Sequence, residues 1–143
     1  MPPEDRDLAY LWDMLEAART VRELVAGVPR EDYLTDRKLQ LAVERAIEII
    51  GEAARRVSES FRCDHPELPW RAMIRQRHVL AHEYGEINQE RIWNVATERV
   101  TELITLLEPL VPPRLERIGR SFFAPVSSRW RYGTPMWMHP AGA

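Results

Sequence analysis

Residues 39–57 read LQLAVERAIEIIGEAARRV. Leu39, Val43, Ala46, Ile47, Ile50, Ala54 and Val57 fall along one face of an α-helix. Ala42, Ile49 and Ala53 widen that face beyond what one neighbouring helix would cover. A helix with so broad an apolar surface is central in its bundle, or it also meets a partner chain. The spacing predicts a helix that begins after Thr35 or Asp36 and runs to about Phe61.

Three more helices flank it. The first covers about residues 5–27, with Leu8, Leu11, Trp12, Leu15, Ala18 and Val25 on one face and Gly27 near its end. The third starts around Pro66–Pro69, where proline suits a helix N-terminus, and ends near Gly85, a natural residue just past a helix end. The fourth, capped by Asn88, runs from Gln89 to Leu107 and is stopped by Pro109, Pro112 and Pro113. No segment alternates with period two, and the connections are short. The expectation is an all-α fold, an antiparallel bundle of four to five helices.

A chain of 143 residues, 45% hydrophobic and 29% charged, suits one soluble domain with a single core. We place that domain at residues 1–113 and read 114–143 as a C-terminal tail. The tail is rich in proline, arginine and aromatics: Phe122, Phe123, Trp130, Tyr132 and Trp137. Disorder, packing on a partner and no role at all are equally open for it. Cys63 stands alone, so no intrachain disulfide forms and a reducing cytoplasm is expected. No run approaches the length of a membrane span, and the opening Met-Pro-Pro-Glu-Asp is not a signal peptide.

The net charge of −2 conceals an asymmetry, because the tail holds five arginines and one glutamate and leaves −6 on residues 1–113. An acidic body argues against strong non-specific binding to a phosphate backbone, and so counts against a nuclease. Work on a nucleic acid would need a local groove with its own positive potential.

The third helix carries the chemistry. Its apolar stripe is Trp70, Met73, Ile74, Leu80, Ala81 and Tyr84, and Arg77 falls in the middle, seven residues from Trp70 and from Tyr84. A guanidinium stays charged and is costly to bury unpaired. It needs an acid on helix two (Glu44, Glu48 or Glu52), a wet interface or an anionic ligand. His82 lies about 140° around the helix from Arg77, so one straight helix does not aim both at a point. Arginine's length, a loosened last turn or a two-fold dimer could bring them together. A lone histidine at a helix end is also a plain C-terminal cap. His78 and His82 stand four apart, the spacing of a zinc pair, but Val79 replaces the usual glutamate and no third ligand follows closely. No metal or other cofactor is assigned.

Arg77-x4-His82-x-Tyr84, with AVERAIEIIGEAARRVS (42–58), AMIRQRHVLAHEYGEIN (72–88) and IWNVATERVTELITLLEPL (92–110), resembles the HepT-like HEPN-domain toxin family over about residues 5–111. The resemblance implies a homodimer whose motifs face each other, and a metal-independent endoribonuclease as the toxin of a toxin–antitoxin pair. It also implies a cognate minimal nucleotidyltransferase antitoxin that transfers AMP to the motif tyrosine. By matching position, Arg77 and His82 become catalytic and Tyr84 the site of AMPylation. Family members often carry asparagine after the arginine; here that place is His78, a secondary catalytic candidate.

RNA supplies its own nucleophile, the 2′-hydroxyl. An imidazole can move the proton, and a guanidinium can hold a non-bridging phosphate oxygen as charge develops. The alternative is a non-catalytic module whose groove binds nucleotides, RNA or the antitoxin. A purely structural reading makes Arg77 an ion pair and nothing more.

Overall fold

The computed structural model describes residues 3–82 and 87–113. Tyr84, the predicted helix end at Gly85 and the tail 114–143 lie outside them. Among the described residues seven α-helices are defined: α1 (Pro3–Val25), α2 (Arg30–Thr35), α3 (Arg37–Arg56), α4 (Glu59–Asp64), α5 (Trp70–His82), α6 (Gln89–Asn94) and α7 (Val100–Leu107). Among the described residues there is no strand, and the all-α helical bundle is as expected. No helix among them is long and apolar enough to cross a membrane.

The helix with the broad face is the central one. α3 packs against α1 on one side and α5 on the other, and α1 also receives α7. The core is Leu11, Met14, Leu15 and Val21 of α1 against Val43, Ile47, Ile50 and Ala54 of α3. Met73 and Leu80 of α5 close one side, and Leu103, Ile104 and Leu107 of α7 close another. Of the three residues that widen the α3 face, Ala53 is buried, whereas Ala42 and Ile49 remain exposed.

Several boundaries differ from the sequence reading. The connection between the first two long helices, turned by Gly27 at φ 72°, contains the short helix α2. Its purpose is Tyr33, which is fully buried. The Tyr33 hydroxyl donates to Gln89 Oε1 at 2.9 Å, and its ring lies 5.1 Å from that of Trp93. Burial pushes this hydroxyl far above its ordinary pKa; the Glu44 carboxylate adds to the shift and Arg37 offsets part of it.

The second long helix stops at Arg56, not Phe61. Ser58 ends it by capping α4: its Oγ accepts from Phe61 N at 3.3 Å. Its own N–H and hydroxyl donate to the buried Asp7 carboxylate, at 2.8 and 2.5 Å. Serine offers the backbone an alternative to the helical ladder, and here α1 supplies the acceptor.

The fourth predicted helix is capped by Asn88, whose Oδ1 accepts from Arg91 N at 3.1 Å. It is interrupted by a π-helical turn at Val95–Arg99. Ile92, Ala96, Val100 and Ile104 are buried at every fourth residue. An α-helix would let that row drift by about 40° per step. A wider turn takes up the lag and keeps the row on the core.

Candidate active site

Arg77 is placed by close contact between α3 and α5. The glycine at 51 allows it: a Cβ there would come within 2.6 Å of the Met73 carbonyl oxygen. The aliphatic stem of Arg77 crosses over this gap. Its head then meets Glu52, the next residue of α3, with Nε 3.0 Å from Oε2. Both atoms are buried, and the angle between them is too poor for a hydrogen bond. The contact is a close ion pair with its proton off line.

The other Glu52 oxygen, Oε1, accepts from Arg55 Nη2 at 3.3 Å and Arg56 Nε at 3.2 Å. Desolvation would raise the pKa of this carboxyl, but Arg55, Arg77 and Arg56 outweigh it and hold it below the usual range. Of the three acids named as possible partners of Arg77, only Glu52 takes it. Glu44 is buried and accepts from Gln89 Nε2 at 3.0 Å, with Arg37 Nη1 at 3.5 Å. Glu48 pairs with Arg45 at 3.4 Å.

Arg77 opens into a polar depression of about 370 Å³ bordered by Tyr10, Asp13, Arg45, Glu48 and Ile49. Burial raises the Asp13 pKa, with Arg56 opposing it. Ile49 is 37% exposed, one of two large apolar side chains left so open among the described residues. The depression therefore offers a guanidinium beside an uncovered aliphatic surface.

The histidines lie elsewhere on α5. The His78 and His82 rings pack together, centroids 4.6 Å apart and tilted by 52°, and both residues are exposed. His78 lines a second, larger groove of about 1160 Å³ between α5 and the helix of the π turn. Met73, Val95, Val100 and Leu103 contribute to its apolar lining, and Arg71, Arg75 and Arg91 also border it. These three arginines have no carboxylate partner among the described residues, unlike those of the Arg77 depression. Within one chain, Arg77 and His78 thus serve different grooves. Among the described residues no group of three or more histidines, cysteines or acids could hold a metal ion.

Sequence reasoning missed the role of Gly51, which only the α3–α5 approach reveals. It also missed the arginine groove. That signal was present, because Arg71, Arg75, His78 and His82 recur at helical spacing.

Residues 14–110 match the family model described as “Ribonuclease HepT-like”. The chain is 40% identical over 101 residues to the “Probable ribonuclease HepT” of Thermococcus cleftensis, covering 71% of this chain and 92% of that protein. It is 35% identical over 111 residues to a “Putative RNase” of Methanocaldococcus jannaschii, covering 78% and 91%. A protein of the same designation from Caldanaerobacter subterraneus is 35% identical over 94 residues, covering 66% and 84%. No solved structure matches the chain. The match runs from the middle of α1 past the end of α7 and includes both Glu52 and the Arg77 helix, so the chain belongs to the HepT-like ribonuclease family of HEPN-domain proteins.

Proposed function

We propose that this ribonuclease is the toxin of a toxin–antitoxin pair, a metal-independent endoribonuclease that works as a two-fold homodimer. The observation that carries the reading is the open presentation of Arg77 in a depression flanked by exposed Ile49. A charged group beside uncovered apolar surface suits an interface where a second chain and a phosphate meet.

The reaction needs three things: removal of the 2′-hydroxyl proton, stabilisation of the phosphorane, and protonation of the leaving 5′-oxygen. His82 is assigned the proton transfers and Arg77 the non-bridging oxygen. His78, packed against His82, is the secondary candidate in place of the usual asparagine. Because Arg77 and His78 serve different grooves of one chain, a second copy is assigned to complete each site. The arginines of the larger groove supply the local positive potential that the acidic body lacks, and they would lead single-stranded RNA towards the histidines.

Control is assigned to Tyr84. A cognate minimal nucleotidyltransferase would join AMP to its hydroxyl, bringing bulk and negative charge to the motif and repelling RNA. Co-expression with the partner followed by intact-mass measurement tests this. Each AMP adds about 329 Da to the chain, and Tyr84→Phe is expected to stay toxic and unmodified. An unmodified wild-type chain rejects the AMPylation reading.

Cleavage itself is tested with purified protein, RNA and EDTA. Fragments ending in a cyclic phosphate support the proposal. RNA bound but intact favours a non-catalytic binding module, a reading the acid-paired arginines of the Arg77 depression also suit.

A further inference from the structure

A guanidinium has two recognition edges, the Nε side and the fork of its two terminal nitrogens. In Arg77 the first faces Glu52 Oε2 at 3.0 Å. Among the described residues no other carboxylate lies within ion-pairing range of Arg77. Nε is buried without an aligned partner, and neither terminal nitrogen shares that condition. Bidentate capture of a phosphate uses such a fork.

We infer that Glu52 is a positioning residue for phosphate chemistry: its Oε2 takes the Nε edge of Arg77 and turns the terminal fork towards the scissile phosphate. The inference rests on the reading of Arg77 as the phosphate-binding group.

Three features separate this role from that of a structural strut. The two facing atoms are covered, but the side chains as a whole are 24% exposed for Arg77 and 31% for Glu52, so water screens the pair and it adds less to stability than a fully enclosed one. Its donor and acceptor face each other off line, so the free protein does not realise the full bond. Catalytic hydrogen bonds often take that form before substrate arrives and tighten when it binds. Finally, Arg55 and Arg56 hold the opposite oxygen of the same carboxylate, which fixes Oε2 towards α5. Glu52 shares its charge among Arg55, Arg56 and Arg77, so it orients Arg77 without being that guanidinium's counter-ion alone.

Glu52→Ala and Glu52→Gln in the full chain test this. Glutamine keeps the shape and an acceptor for Nε–H; alanine keeps neither. The readouts are cleavage of a short RNA, thermal melting, and the Arg77 Nε–H resonance, assigned by its loss in Arg77→Lys. The expected result for Glu52→Ala is a kcat about 10- to 100-fold lower with KM little changed, as for a misplaced catalytic group. Melting should stay near the wild-type temperature while the Arg77 resonance broadens. Glu52→Gln should recover most of the rate. An unchanged kcat and resonance in Glu52→Ala overturn the inference. So does a loss of activity that merely follows a fall in melting temperature, and so does faster cleavage, which would make Glu52 a restraint. If the wild-type chain cleaves no RNA, the ribonuclease reading fails separately, and titration with inorganic phosphate decides. Phosphate should then shift the Arg77 resonance in the wild type and not in Glu52→Ala; equal shifts in both overturn the inference.

Discussion

Gly51 of α3 lies against the stem of Arg77 on α5, so closely that a Cβ on Gly51 would stand 2.2 Å from the Arg77 Cβ. Both positions are fixed by backbone, and no side-chain rotation relieves such a contact. Two effects oppose each other in Gly51→Ala. Alanine is the better helix former by about 1 kcal/mol. Overpacking a well-filled helix contact costs about 1–3 kcal/mol. The clash should win, because α5 must move as a unit. Gly51→Ala is expected to melt several degrees lower and to lose cleavage beyond the loss of folded protein, since Arg77 is carried away from Glu52. A melting temperature at or above that of the wild type would mean that the helices slip apart freely.

A second expectation concerns the larger groove. Arg71, Arg75 and Arg91 border it without carboxylate partners among the described residues. If single-stranded RNA runs there, each contact neutralises a phosphate and releases counterions. The logarithm of affinity then falls with the logarithm of salt by about 0.7 per contact. Replacing all three by alanine should flatten that slope by about 2. Anisotropy with an uncleavable 2′-deoxy oligonucleotide across a salt series measures it. An unaltered slope would place the nucleic acid elsewhere.

The third prediction addresses the join between α3 and α4. Asp7 is 7% exposed and receives both the backbone N–H and the hydroxyl of Ser58. Ser58→Ala removes the α4 cap at about 1 kcal/mol. It also leaves one Asp7 oxygen without its donor. Asp7→Ala strands the Ser58 donors, at about 1–3 kcal/mol. The two changes share the bond from the Ser58 hydroxyl to Asp7, so the double variant should cost about 0.5 kcal/mol or more less than the sum of the singles. Denaturant unfolding of the four proteins gives the coupling. Simple additivity would show that the hydroxyl bond adds nothing to the fold.

What the sequence disclosed follows from the range of the forces involved. The α3 stripe was legible because hydrophobic period is local, and so was the Asn88 cap. The break at Ser58 was not, since its acceptor, Asp7, lies 51 residues away. The short helix α2 left only faint signs, Pro29 before it and Glu31 and Asp32 in its first turn. Helical spacing narrowed the partner of Arg77 to three glutamates on α3. The choice among them depends on how α5 slides along α3, and the gap at Gly51 sets that register. The divergence of Arg77 from the histidines was visible as an angle, because five residues of helix carry a side chain well past its starting face.

That divergence gives the last prediction. Arg77 opens into the depression beside Ile49, while His78, packed on His82, lines the groove on another side of α5. If a two-fold dimer completes the site, each site takes Arg77 from one protomer and His82 from its partner. Arg77→Ala and His82→Ala should then each be inactive alone. Subunits exchanged between them form mixed dimers, in which one site lacks both groups and the other has both. With random exchange, half the dimers are mixed and each holds one intact site of two, so about a quarter of wild-type activity should return. A site built within one protomer predicts no recovery, since every chain in the mixture lacks one group. The measurement is RNA cleavage before and after mild denaturation and refolding of the equimolar mixture. Refolding each variant separately controls for trace wild-type enzyme, and activity that stays at the level of those controls would reject the shared site.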